Sequence, residues 1–189
     1  QMQPCCRYFP TPWNTFVARS GLKRFLPVVK MVDDLDWAHD EVRLCDWVTG
    51  CYFLVRRETI ENVGLFDPRY FLYCEELDLC RTVKAAGWQV AFYPHTQVVH
   101  IGGESAKTEG LTLTTGNQIS ELQIESELLY FRKQHGLIGV LQYFCFECIA
   151  VGVNITRSFI GQKARPITSP LTVHWDLLLK TRLGLRATR

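Results

Sequence analysis

The sequence is short of net charge, of a recognisable leader and of a second CxxC pair, and each shortage removes a class of protein. A formal charge of +2 over 189 residues is too small to imply a polyanionic partner. The total conceals an uneven distribution: residues 1–150 carry 14 Lys/Arg against 18 Asp/Glu, and residues 151–189 carry 7 against the single acid Asp176. No aromatic interleaving accompanies that basic tail, which argues against nucleic acid. Gln1-Met2-Gln3-Pro4-Cys5 has neither a basic start nor an apolar run, so no signal peptide is expected, and the eight cysteines are read as thiols of a reducing, cytoplasmic compartment. Cys145-Phe146-Glu147-Cys148 has the inner spacing of a zinc or redox half-site, but without a partner pair it reads as a packed helix face. Cys51, Cys74 and Cys80 lie in apolar or aromatic stretches, where a thiol behaves as a small buried hydrophobe.

What is present is apolar enough, at 47% hydrophobic residues, for one globular domain with or without an appendage. The proline-rich opening Pro4-Cys5-Cys6-Arg7-Tyr8-Phe9-Pro10-Thr11-Pro12 reads as an extended connector over a surface. The segment to Val42 lacks a sustained period and is expected to be loop with one short helix. Trp47 to Val55 is β-branched or aromatic around one glycine, which predicts a buried strand with a close backbone approach at Gly50. A short helix over 57–63 should stop at Gly64. The next helix should start near Glu75, with Leu79, Val83 and Ala86 on one face and Gly87 as its stop. Strands are expected over 89–93 and 97–100, and this order argues for an α/β domain. A polar loop over 104–117 and a helix over 119–134 follow.

Chemistry concentrates at Glu75, Glu76 and Asp78, three acids in the presumed first turn of one helix. Acids are favoured there by the positive end of the helix dipole alone. Tyr70-Phe71-Leu72-Tyr73 before them could wall a sugar site, however, and a carboxylate at a helix edge is what a general base for a hydroxyl requires. His100, at a strand end before two glycines, is a candidate ligand or catalytic group. Asp34-Leu35-Asp36 formally matches a cation-holding pair, but such pairs are common in acidic loops.

In order, Asp46-Trp47-Val48-Thr49-Gly50-Cys51, Arg56-Arg57, Val63-Gly64-Leu65-Phe66-Asp67, Phe71-Leu72-Tyr73-Cys74-Glu75-Glu76-Leu77-Asp78-Leu79-Cys80-Arg81, Gly87-Trp88 and Val98-Val99-His100-Ile101-Gly102-Gly103 resemble the C-terminal half of the family 2 glycosyltransferase catalytic domain. The likeness is to bacterial rhamnosyltransferase-like members. It implies a Rossmann-like GT-A fold and inverting transfer from a nucleotide diphosphate sugar to a glycan or lipid-linked acceptor. It also implies a divalent cation, Mg2+ or Mn2+, on the diphosphate. The family's base, the second acid of a Glu-Asp pair, matches Glu76, where Glu replaces Asp; the metal-assisting histidine matches His100. Trp47, Gly50, Tyr73, Glu75 and Asp78 match positions bordering the site. The family's N-terminal, donor-binding half has no counterpart, because a nucleotide-binding half needs several strand–helix units. The chain is therefore expected to be a fragment, a truncated product or one piece of a split enzyme.

The expected organisation is a catalytic part over 1–135 and an amphipathic helix with a basic tail over 136–189. Leu137 to Ile160 is long enough to cross a membrane. Gln142, Glu147, Asn154 and Arg157 interrupt it, each costly at a bilayer centre, so the reading is a helix lying in the interface at the inner face of the plasma membrane or on the domain. Lys163, Arg165, Lys180, Arg182, Arg186 and Arg189 suit anionic lipid. The alternative function is a non-catalytic, membrane-peripheral module that binds glycan or protein.

Overall fold

Thr11 starts the first helix of the computed structural model, which describes residues 5–34, 37–99, 116–161 (backbone alone to 120) and 169–189. Its hydroxyl accepts from Asn14 N at 3.1 Å while Asn14 Oδ1 accepts from Thr11 N at 2.8 Å, a reciprocal cap. Pro12 sits at the first helical position, where no N–H is needed. Helix α1, Pro12–Ser20, ends at Gly21, whose φ of 70° suits glycine, and a 3-10 turn over Leu22–Phe25 follows.

The chain divides into two compact units, one of Gln1–Phe9 with Val32–Thr114 and the other of Pro10–Met31 with Thr115–Arg189. The division expected at 135/136 coincides with the interruption at Gly136 inside the second of these units.

In the first unit, β1 (Arg43–Cys45) pairs antiparallel with β2 (Val90–Phe92). Cys45 and Val90, opposite each other in the register, face inward, while Leu44 stays exposed. Between them run α2, Arg57–Val63, and α3, Glu75–Ala85, which buries Leu77, Leu79, Cys80 and Val83. The helices, the Gly64 and Gly87 stops at positive φ and the strand at 90–92 match expectation. The strand expected over 47–55 does not form. Trp47 makes an isolated bridge to Arg7, a turn follows at Gly50, and the run continues without regular structure. Residues 97–99 are likewise irregular, and residue 100 lies outside the described residues. β propensity reflects fit to a half-buried pleated surface, and neither run has a neighbouring strand to supply one among the described residues.

The opening segment is extended, as expected, but it does not skirt a surface. Arg7 N donates to Trp47 O at 3.0 Å, Tyr8 N to Val32 O at 2.8 Å and Asp46 N to Arg7 O at 2.9 Å, and Cys6 is fully buried.

The second unit is helical. Helix α4, Gly116–Phe159, is two helices joined at Gly136, where φ 66° and ψ −162° interrupt the helical path, and α5, Leu171–Lys180, follows. Phe16, Val17 and Ala150 form a core, with Phe16 stacked on Phe146 at 5.2 Å.

Candidate functional site

Two consecutive residues in the left-handed region deliver the chain into α3: Tyr73 at φ 70° and Cys74 at φ 65°. Neither is glycine, and each such residue costs on the order of 1–3 kcal/mol, so the surrounding structure must hold the turn in place. Glu75, Glu76 and Asp78 then occupy the first helical turn, where the helix dipole favours negative charge.

The three acids have different surroundings. Asp78 turns inward, 2% exposed, and accepts from the Tyr70 hydroxyl at 3.5 Å. Burial, with Asp78 alongside, raises the Tyr70 phenol far above its ordinary range, so it stays a donor. Glu75 is half-buried with one oxygen, Oε2, that has no hydrogen bond. Burial first, and then the charge of Glu76, push its carboxyl pKa up against the pull of its own backbone N–H. Glu76 reaches across to the Gly50 turn, where Gly50 N donates to Oε1 at 3.2 Å. The close approach expected at Gly50 is thus to Glu76 itself: a methyl added there would meet Oε1 at 3.6 Å.

Trp47 is turned into the unit rather than toward these acids. Its Nε1 donates to Tyr8 O at 2.9 Å, and the Arg7 guanidinium lies 4.8 Å from its ring centre. Tyr73 is partly buried, while Phe71 is 52% exposed, so the aromatic run offers one outward ring beside the turn. Asp34 is engaged structurally: it accepts from the Tyr8 hydroxyl at 2.7 Å, a bond that helps push that phenol up to about 12, and pairs with Arg43 at 3.3 Å. Asp36 and His100 lie outside the described residues. Among the described residues no three His, Cys, Asp or Glu side chains come together as a metal-holding group. The described residues therefore do not fit the divalent cation that the resemblance implies.

Of the cysteines, Cys80 behaves as expected: it is buried, and desolvation raises its thiol to about 11. Cys51 and Cys74 are only partly buried, because they stand on the two turns that meet around Glu76 rather than inside a strand and a helix. Cys145 is exposed and Cys148 partly buried, so the expected packed face is only partial.

Two residues that sequence reasoning passed over hold this arrangement. Lys84 Nζ, at the far end of α3, donates to Asp46 Oδ1 at 2.6 Å and to Cys45 O at 2.9 Å, and Asp46 accepts from Phe9 N at 3.0 Å. These bonds tie α3 to the strand that leads into the Gly50 turn. No spacing in the sequence announces a pair 38 residues apart. A cleft of about 510 Å³, lined by Leu44, Val48, Leu54, Val83, Trp88 and Val90 among others, runs beside the face of α3 that continues from Glu76 through Cys80 to Val83. Its walls mix these apolar side chains with the polar Arg56, Thr59 and Gln89.

Residues 34–115 match the glycosyltransferase-like family 2. The chain is 43% identical over 54 residues to the N-acetylglucosaminyl-diphospho-decaprenol L-rhamnosyltransferase of Mycobacterium tuberculosis, covering 29% of this chain and 18% of that protein. It is 38% identical over 55 residues to rhamnosyltransferase WbbL of Escherichia coli K12, covering 29% and 21%. The matched stretch thus spans about a fifth of the length of these relatives. No solved structure matches.

Proposed function

We propose, taking residues 34–115 as a family 2 glycosyltransferase segment, that this unit supplies the acceptor-side base of an inverting sugar transfer in cell-surface polysaccharide synthesis. The observation that carries the reading is the Gly50–Glu76 contact. A backbone N–H holds Oε1 and thereby aims a partly exposed carboxylate at a helix edge. Oε2 is then the oxygen that takes the proton of an acceptor hydroxyl. The hydroxyl oxygen forms its bond to the anomeric carbon as the bond to the nucleotide diphosphate breaks, on the opposite face of the sugar. Asp78, with Tyr70, fixes the base of the helix, and Glu75 occupies the half-buried side of the same turn.

The relatives' names make L-rhamnose the first donor sugar to try and a polyprenyl-diphosphate-linked N-acetylglucosamine the first acceptor. The GT-A, Rossmann-like architecture is part of the proposal, as are donor-binding contacts supplied by protein outside the matched stretch. The exposed Leu44 and Leu54 on the wall of the cleft suit a face that such protein would cover. A divalent cation also stays within the proposal, held by groups beyond the described residues, His100 among them. The chemistry assigned to the described residues is proton removal alone.

The test is donor-dependent transfer, followed with labelled sugar. This chain alone should transfer weakly or not at all. In a longer protein carrying the same stretch, Glu76→Gln should lower kcat about 10²–10⁴-fold with little change in donor KM. Glu76→Asp, which keeps a carboxylate but withdraws it by one carbon–carbon bond, should lower it less. Unchanged turnover in Glu76→Gln would remove Glu76 as the base. The exposure of Phe71 favours a second reading, glycan or protein binding without catalysis, in which binding persists in the Glu76→Gln protein and no transfer is found in any length of chain.

A further inference from the structure

Helix α4 changes character at Gly136. Before the kink it is an ordinary helix of a water-soluble unit: Leu122, Ile124, Leu128 and Leu129 are buried, while Glu121, Gln123 and Lys133 face out. After the kink the outward face becomes apolar as well. Ile138, Leu141, Cys145, Ile149, Ile155 and Phe159 are exposed, Ile138 by 70% and Phe159 by 88%, and at about 100° per residue they fall on one continuous arc. The buried side of the same stretch carries the polar Glu147 and Asn154 beside Val140, Tyr143 and Ala150.

Those polar groups are partnered inside the unit. Arg19 of α1 lies 2.6 Å from Glu147 Oε1 as an ion pair too bent for a hydrogen bond, and donates to Glu127 at 2.6 and 2.8 Å and to Tyr143 at 3.1 Å. The Tyr143 hydroxyl in turn donates to Glu127 at 2.6 Å. Asn154 Nδ2 donates to the carbonyls of Arg19 and Ala150, and Arg157 to that of Ser20 at 2.8 Å. The only charged residues between 137 and 160 are Glu147 and Arg157, and both are spent on the α1 side. Three of the four residues that argue in the sequence against a hydrophobic setting are therefore engaged on the α1 side, Asn154 and Arg157 by hydrogen bonds and Glu147 by an ion pair, although Glu147 Oε1 and Arg157 Nε make no hydrogen bond; Gln142 faces out.

We propose that the outward arc of residues 137–160 is seated in lipid acyl chains, making the second unit an integral rather than a surface-attached membrane module. Polar groups inside and an uncharged apolar surface outside are what a hydrocarbon solvent demands and what water penalises. The dimension fits: residues 137–160, at about 1.5 Å rise each, run about 36 Å, against about 30 Å of bilayer hydrocarbon. Only 28% of the most apolar stretch of this helix is buried, so the arc is not the covered core of the unit. A protein partner is the poorer occupant, since protein interfaces close with a polar, charged rim and within residues 137–160 the two charged side chains, Glu147 and Arg157, are both engaged on the α1 side, not on the arc. Helix α5 supplies the matching border group, exposing Trp175 and Leu179 together with Lys180, and the chain beyond it exposes Arg182 and Arg186. Amphipathic rings and long basic side chains together are suited to the headgroup layer.

The test is independent of sugar transfer. The full chain is reconstituted with vesicles of neutral phosphatidylcholine, which offers no charge attraction, and washed with 1 M salt and then alkaline carbonate. Retention in the vesicle pellet through both washes is expected. Ile138→Lys with Ile149→Lys, at exposed positions whose change leaves the interior packing alone, should lower the vesicle partition coefficient at least tenfold with an unchanged far-ultraviolet circular dichroism spectrum. Gln123→Lys, outward but before the kink, should leave it unchanged. The proposal fails if the washed chain returns to the aqueous phase as a monomer or as a discrete dimer. It fails equally if the double lysine variant keeps its helical spectrum and partitions like the parent.

Discussion

At the residue scale, the three acids opening α3 share one sequence neighbourhood and three fates. Their crowding in a first turn is legible in the sequence, because any such cluster near a helix start is drawn there by the dipole. Which acid points where is not legible, since it depends on the Gly50 turn 26 residues away and on Tyr70. Glu75 makes the difference measurable. Its folded-state pKa is raised, chiefly by burial, so the native state holds that proton more tightly than the unfolded chain does. Stability from this group is therefore fully present below the unfolded value and is lost as pH rises through the folded one. Glu75→Gln, which cannot ionise, should flatten that fall: melting temperature against pH should show the variant gaining on the parent as pH rises above the ordinary carboxylate range. The opposite slope would mean the carboxylate has a partner that stabilises its charge.

At the element scale, helices were easier to read than strands. The 57–63 and 75–85 helices follow from local periodicity and their stops from glycine, all of which act within a few residues. The apolar run at 47–55 has the composition of a strand and becomes a bridge and a turn, because a strand needs a partner and the nearest backbone is the single extended segment through Arg7. Gly136 falls between the helix expected over 119–134 and the apolar stretch from Leu137, but its conformation is not written in the neighbouring residues. Its φ of 66° with ψ −162° is a conformation that residues with a Cβ scarcely adopt, and nothing crowds the site. Gly136→Ala should therefore cost about 1–3 kcal/mol through backbone strain alone. Thermal unfolding of the second unit, followed by circular dichroism, reads this as a lower midpoint. An unchanged midpoint would mean the two halves of α4 can straighten at no cost.

At the scale of the whole molecule, the chain is two units that interleave in sequence, with residues 10–31 belonging to the second although they are flanked by the first. Besides the Phe16, Val17 and Ala150 core, Arg19 ties this segment to α4, and its guanidinium faces Glu127, Tyr143 and Glu147 together. Arg19→Ala should leave two carboxylates without their cation, a loss of about 3 kcal/mol or more for a largely buried network. Amide exchange across α1 should then quicken by about two orders of magnitude, while exchange in α3 stays as it was. Equal acceleration in both units would mean that the loss is not confined to the second. What the sequence determined by itself is the family likeness of residues 34–115, the acidic helix start and the long apolar segment after 136, because each is written in residues close together along the chain. The tertiary structure alone decided that Glu76 is the acid held by the Gly50 N–H, and that Glu147 and Asn154 of α4 face inward. Both outcomes rest on contacts between segments far apart in sequence, where the cost of leaving a buried polar group unpaired selects one arrangement among many with the same local pattern.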